Sequence, residues 1–408
     1  MIISTEIRAQ FPSLRRLYNN FPMVFLDGPG GTQVPDSVIN AIVDYYKISN
    51  SNTHGEFVTT RETDGVISQA RKSAATLLGA ESEDTISFGQ NMTTLNFSLA
   101  HGIARVLQKG DEVLITQLDH EGNRGPWLML RGFGIKVREV VLKQDGTLDY
   151  DDFASKINEN TRLVAMGMAS NALGTVNDVT RVRELTYRHN TWLMLDAVAY
   201  APHFSIDVQA LGCDFLLCSA YKFYGPHVGI LYSRPGLLDR LFTDRLVTAE
   251  QRSPYSIETG TLNHAALAGV SAAVDFLSGL GEGNSLREKL LSAYRNISAH
   301  EYQLAVHLYE GLNKIPGIKI IGQDFSSAHR TPTVSFTMKG KTPGQVCAWL
   351  AKKNICAWDG HFYALRAIQV LGLLEKGGVT RLGISFYNTL DEINMTLREI
   401  ESLVHDNS

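Results

Sequence analysis

Cysteine is scarce: the 408-residue chain has four, Cys213, Cys218, Cys347 and Cys356. They form no C-x-x-C pair and no Cys/His cluster at zinc-ligand spacing, so no metal site is expected, and a reduced, cytoplasmic protein fits. Long apolar runs are also missing, because charges or glycines interrupt each one before membrane-spanning length. The opening Met1-Ile2-Ile3-Ser4-Thr5-Glu6 is not a basic segment leading into an apolar one, so neither a membrane span nor a secretory leader is expected. Charge of one sign is absent too. A net charge of -4 from 38 basic and 42 acidic residues leaves no broad basic field, which disfavours nucleic acid and anionic membranes and leaves small molecules as partners. Gly28-Pro29-Gly30-Gly31 lacks the Gly-Lys-Ser/Thr ending of a phosphate-binding loop, and no G-x-G-x-x-G follows the first strand. Nucleotide binding is disfavoured.

What is present suits a large enzyme. With 44% hydrophobic and 20% charged residues the chain can bury a sizeable core, and its length suits two domains of about 100 to 200 residues each. From Phe25 to Ser233 short apolar runs alternate with amphipathic stretches, the pattern of a mostly parallel sheet covered by helices. Seven strands are predicted, at 85–88, 112–116, 136–141, 163–168, 192–196, 215–219 and 229–232. Val38, Ile39, Ile42, Val43 and Tyr46 predict a helix after Pro35 running through Tyr45, and Met92, Leu95, Leu99, Ile103 and Val106 predict another over 91–109. Beyond Gly281 a helix is predicted over 286–312, followed by strands at 333–338 and 380–385 and helices at 342–353 and 390–404. The expected division is an N-terminal segment, 1–25, packing with the small domain, a large α/β domain, 26–280, and a smaller α+β domain, 281–408.

Lys222 ends one apolar run, in Cys218-Ser219-Ala220-Tyr221-Lys222, and Asp196 ends another, in Trp192-Leu193-Met194-Leu195-Asp196. In open α/β sheets ligands bind beyond the carboxyl ends of the strands. A lysine and an acid there are what pyridoxal phosphate needs: an amine for its aldehyde and an anion to keep its ring nitrogen protonated. Lys222 would also move the Cα proton. The phosphate is expected on the backbone N–H groups of Asn91 and Met92, at the start of the 91–109 helix, where orphan donors and the helix dipole favour an anion. Ser219 adds a hydroxyl.

Three blocks carry a wider likeness: Leu118-Asp119-His120-Glu121-Gly122-Asn123-Arg124-Gly125-Pro126-Trp127, Ser170-Asn171-Ala172-Leu173-Gly174-Thr175, and the segment from Asp196 to Lys222. In this order the chain resembles the class V, fold-type I aminotransferases. Arg8-Ala9-Gln10-Phe11-Pro12 and Phe25-Leu26-Asp27-Gly28-Pro29-Gly30-Gly31-Thr32 narrow the resemblance to the cysteine desulfurase-like branch. The resemblance implies that His120 stacks on the pyridoxal ring, Asn171 bonds its phenolic oxygen, and Arg381 grips the substrate α-carboxylate. It also implies a homodimer in which Thr261 reaches the phosphate of the neighbouring subunit. His54 and Glu56 lie in a loop expected near the cleft, with His54 counted among the substrate-binding residues.

One departure matters. Desulfurases of the type this chain resembles carry an Arg-x-Gly-x-x-Cys loop whose cysteine takes up sulfur. Aligned on Gly360, that arginine is Trp358 here and that cysteine is Tyr363. Cys356 lies four residues before the glycine and reads as a packed small residue. The expected activity is therefore Cα deprotonation and β-elimination of a sulfur leaving group from an amino acid, without a persulfide cysteine. The alternatives are an epimerase, as in isopenicillin N epimerase-like relatives, and an aminotransferase.

Overall fold

The computed structural model describes residues 5–326 and 328–405. The seven apolar runs pair into one sheet: β1 (Ile86–Gly89), β2 (Glu112–Thr116), β3 (Lys136–Val140), β4 (Thr161–Gly167), β5 (Trp192–Asp196), β6 (Phe215–Ser219) and β7 (Gly229–Ser233). Their order is β1-β7-β6-β5-β4-β2-β3, with β7 antiparallel to both neighbours and the other pairings parallel. Every residue of β2, β6 and β7 is buried, because helices cover both faces; this is why these strands read as continuous apolar runs. Alternate side chains supply opposite faces. Leu193, Leu195 and Leu216 pack with Ala70, Leu77, Val270 and Val274 of the helices Val58–Leu78 and His264–Ser278. Met194, Phe215 and Leu217 pack instead with Leu95, Leu99 and Ile103 of the helix Met92–Ala104. Truncating a fully buried leucine such as Leu195 to Ala should cost about 2–5 kcal/mol, readable by denaturant unfolding.

A second sheet is built from β8 (Ile318–Ile321), β9 (Thr333–Met338), β10 (Trp358–Gly360) and β11 (Val379–Gly383), in the order β8-β9-β11-β10 and antiparallel throughout. The helices Leu286–Lys314, Pro343–Lys352 and Leu390–His405 accompany it around a separate apolar cluster. Near the N-terminus, Val24–Phe25 pairs in parallel with Ile355–Cys356, and Gly383 N–H donates to Leu26 O at 2.8 Å. These pairings draw the Asp27-Gly28-Pro29-Gly30 turn against the end of β11.

The helix predicted over 91–109 ends at Ala104. Beyond it, Val106 and Leu107 both donate to Ile103 O, and Asp111 accepts from Gln108 N–H at 2.8 Å, so the polar segment before β2 closes into a turn. The first predicted helix is α-helical over Asp36–Asp44 and widens into a π-turn at Tyr45–Ser49.

Candidate active site

The parallel strands point their carboxyl ends to one side, and the chemistry-bearing residues follow those ends. Asn91 comes after β1, His120 after β2, Asn171 after β4, Asp196 closes β5, and Ser219 with Lys222 closes β6. Chain order reverses direction in the sheet between β2 and β4, the position where an open α/β sheet leaves a crevice. β7 starts at this same edge because it runs antiparallel. A Cβ on its first residue, Gly229, would run into the Asn91 backbone, so glycine is what lets the helix N-terminus close on the strand.

Asn91 spends its side chain on its own helix. Its Oδ1 accepts from Thr94 N–H at 2.9 Å, and Thr94 Oγ1 accepts in return from Asn91 N–H at 3.4 Å, a capping box. Any anion held here would therefore meet main-chain donors. Met92 N–H points to Ser219 Oγ at 3.0 Å, which joins the helix start to the end of β6.

Burial dominates the electrostatics. It pushes the Asp196 carboxyl up to about 7; the hydrogen bond from Val198 N–H opposes this, nearby Asp119 adds to it, and the Lys222 charge also opposes it. Burial pulls Lys222 down to about 7, reinforced by Arg381 and resisted by Asp196 and Asp27. A substantial share of Lys222 is thus a neutral, nucleophilic amine near neutral pH. In this structure the amine donates to Pro29 O. His120 is held down to about 4 by burial and by the positive charges of Lys222 and Arg381. Its Nδ1 accepts from Gly122 N–H at 2.8 Å, which assigns the ring proton to Nε2 and leaves a neutral imidazole with a donor to offer.

Arg381 lies buried on β11. Nη1 donates to Asn171 O at 2.9 Å, and the guanidinium stands 4.0 Å from the centre of the Phe362 ring. Burial draws its pKa down to about 9 against the pull of Asp27, so it stays cationic at neutral pH. Asn171 Nδ2 in turn donates to Phe362 O at 2.8 Å. Phe362 and Tyr363 both adopt left-handed backbone, with φ of 51° and 57°. Such a conformation costs roughly 1–2 kcal/mol per non-glycine residue. It is held by the Asn171 bond, by Glu121 N–H donating to Tyr363 O at 2.7 Å, and by Tyr363 N–H donating to His361 Nδ1 at 3.1 Å.

Three residues expected near the site stand apart from this cluster. The His54 side chain is 84% exposed and pairs with Asp64 at 3.4 Å, while Glu56 pairs with Arg61 at 2.9 Å. Thr261 is exposed as well. The segment leading to Thr261 is nonetheless anchored: Glu258 takes a two-pronged ion pair from buried Arg71, at 2.7 and 2.8 Å, and accepts from Phe88 N–H at 2.7 Å. Other residues carry no role in the sequence reading yet belong to the site. Asp27 is half-buried, its buried Oδ1 is unpartnered, and it feels both Arg381 and Lys222. Tyr221 lies beneath the Lys222 amine, 4.9 Å from ring centre to Nζ, and stacks on His227. A motif of glycines and prolines around one aspartate signals a turn; the pairing of Val24–Phe25 with Ile355–Cys356 and of Leu26 and Asp27 with Gly383 sets its place in the site.

A hollow of about 430 Å³ lined by Asp111, Arg162, Trp192 and Arg234 lies at the opposite edge of the sheet. Arg162 and Arg234 are spent on ion pairs with Asp111 and Asp214. Among the described residues no group of three or more His, Cys, Asp or Glu could hold a metal, and no helix is long and apolar enough to cross a membrane.

The lysine, the buried acid, the neutral imidazole and the helix N-terminus fit pyridoxal phosphate. The unpartnered Oδ1 atoms of Asn171 and Asp27 are consistent with further polar contacts in the cleft. Fold and site together define the fold-type I architecture of pyridoxal-phosphate enzymes. The model of the family described as aminotransferase class-V matches residues 24–395, and the chain belongs to that family. It is 31% identical over 412 residues to a protein of Halalkalibacterium halodurans named "Probable cysteine desulfurase", covering 97% of each chain. Among solved structures it resembles an apo cysteine desulfurase from Thermococcus onnurineus NA1, with a TM-score of 0.87, 26% identity and 99% of each chain covered. A cysteine desulfurase from Escherichia coli in an S-sulfonic acid form matches with a TM-score of 0.85, 26% identity and 98% of each chain covered.

Arg381→Ala should raise KM for α-amino acids by about 10-fold to 100-fold, the worth of a charge-assisted carboxylate contact. The corresponding amines, which lack the carboxylate, should lose much less. Equal losses measured on both series would make Arg381 structural.

Proposed function

We propose that the protein is a cytoplasmic, homodimeric, pyridoxal-phosphate-dependent carbon–sulfur lyase that acts on an amino acid without a persulfide cysteine. The observation that carries this is the loop after β10. Where the resembling desulfurases place a sulfur-accepting cysteine stands Tyr363, on a loop tied down on both sides. A phenol cannot accept sulfane sulfur.

None of the four thiols offers a substitute. Cys213 and Cys218 are buried, and burial with neighbouring carboxylates pushes both thiols up. Cys347 is raised to about 12 by burial and Asp359, and Cys356 to about 11 by burial and Asp27. Cys356 is also fixed in backbone pairing, its carbonyl accepting from Leu26 N–H at 3.1 Å. A sulfur acceptor needs a thiolate on a mobile segment.

Bound pyridoxal phosphate supplies an electron sink for the pair released when the Cα–H bond breaks. Asp196 would hold the ring nitrogen protonated, and His120 would lie on the ring with Nε2–H available to a substrate group. Asn91 and Met92 backbone donors with Ser219 would hold the phosphate, joined by Thr261 of the partner subunit. Arg381 would orient the α-carboxylate, and Lys222, with a pKa brought to about 7, would take the Cα proton at neutral pH. The Cβ–S bond then breaks with its electron pair leaving on sulfur, which takes up a proton to leave as thiol; the unsaturated amino acid left behind is hydrolysed by water to pyruvate and ammonia. Cys356→Ala should leave thiol release within about twofold of the parent, since surface and packing changes away from the chemistry are small. Loss of activity in that variant, with a persulfide found on Cys356 by mass spectrometry, would overturn the reading.

A further inference from the structure

We infer that Trp358, Phe362 and Tyr363 form a fixed aromatic subsite for the substrate's β-substituent, and that the preferred substrate carries a flat, apolar group on sulfur, an S-aryl cysteine. This rests on the elimination reading above and adds to it the class of leaving group.

The register of β10 on β11 sets Trp358 directly opposite Arg381, so the indole shares a sheet face with the guanidinium. The next residue, Asp359, turns to the other face, where its carboxylate stands near Gly344 at the start of the helix Pro343–Lys352. A Cβ on Gly30 would lie 3.1 Å from Trp358 Nε1 and 3.9 Å from an Arg381 nitrogen, which fixes the indole at the mouth between the Asp27–Gly30 turn and the arginine. Phe362 covers the guanidinium, and the Tyr363 ring leans over His120 with centroids 5.5 Å apart. Rings thus stand beside both Arg381 and His120.

Two of these rings are left open. Within one chain Trp358 is 54% exposed and Tyr363 68% exposed, although Trp358 stands beside buried Arg381 and Tyr363 beside half-buried His120. Large aromatic faces of this kind gain from a flat apolar partner. The cationic guanidinium beside Trp358 disfavours a positively charged substituent, and the pinned left-handed backbone at Phe362 and Tyr363 keeps the wall in place. Elimination from such a substrate breaks the Cα–H and Cβ–S bonds, and the sulfur departs as an arylthiolate that takes up a proton. An arylthiolate is a better leaving group than an alkylthiolate, so ring binding and chemistry favour the same substrate.

The test compares S-phenyl-L-cysteine with S-methyl-L-cysteine on the holoenzyme, following thiol and pyruvate, with binding measured independently by calorimetry. The S-phenyl compound should exceed the S-methyl one in kcat/KM by about tenfold, and Trp358→Ala should reduce that ratio by about threefold to tenfold, the range one aromatic contact supplies. Trp358→Phe, which keeps a ring, should restore most of it. Because Trp358 is half exposed, the Ala variant is expected to fold; thermal unfolding checks this. Calorimetry separates the two claims. Tighter S-phenyl binding that depends on Trp358, without pyruvate from either compound, supports the aromatic subsite and sinks the elimination reading. Pyruvate from both compounds with equal binding and equal kcat/KM, or a ratio unmoved by Trp358→Ala, overturns the subsite.

Discussion

Lys222→Ala should remove covalent cofactor attachment and lower turnover by at least about 10²- to 10⁴-fold, the range a positioned acid–base group contributes. Borohydride treatment of the parent followed by peptide mapping should find the cofactor on the Lys222 peptide. Attachment to another lysine would sink the assignment. The environment of Lys222 adds a pH signature. Burial lowers its pKa to about 7, so the cationic form dominates below that value and the nucleophilic form above it. Uptake of pyridoxal phosphate by the apoprotein should therefore accelerate as pH rises through neutrality and level off above it. A rate that kept climbing toward pH 10, about where an unperturbed lysine titrates, would mean that the buried setting does not activate this amine.

Asp196→Asn should keep most of the cofactor bound yet lower turnover by about 10²- to 10³-fold, the scale of losing one preorganised electrostatic contact in a closed site. The isosteric amide can still accept the hydrogen bond from Val198 N–H, so the fold is spared; what disappears is the negative charge. That charge is costly in the protein alone, where burial lifts the carboxyl to about 7. A protonated ring nitrogen against it would reverse the shift and keep the carboxylate ionised at neutral pH. The variant should therefore bind the cofactor less tightly as well. Near-parental rates in Asp196→Asn would remove the acid from the mechanism.

The sequence exposed the strands more readily than the helices. β2, β6 and β7 are buried on both faces, so burial writes them as unbroken apolar runs with turn residues at either end. The helix Val58–Leu78 shows no apolar stripe in its first turns, which are polar from Thr59 to Asp64 with Gly65 following; it packs through the small residues Ala70 and Ala74. The helix His264–Ser278 is apolar nearly all round and buried, so it shows no stripe of period 3.6. β10 has three residues, too few for any periodicity.

Within the site, Lys222 and Asp196 were legible because each ends an apolar run. Their nearness follows from β5 and β6 being adjacent and parallel. The role of Asp27 was not legible, since its approach to Arg381 depends on pairings with a segment more than three hundred residues away in sequence. Trp358 and Tyr363 showed only as departures from a resembling pattern. Their orientation toward Arg381 and His120 comes from strand register and from two left-handed residues, neither of which composition reveals. His54 and Thr261 stay outside the Lys222 cluster within one chain.

The central claim is that sulfur leaves as thiol rather than passing to a protein cysteine, and the nitrogen- and carbon-containing products report it most directly. Holoenzyme supplied with L-cysteine or an S-substituted cysteine, without added reductant, should release thiol or sulfide together with pyruvate and ammonia in equal amounts, and no alanine. Alanine formed in step with a protein-bound persulfide would contradict the account.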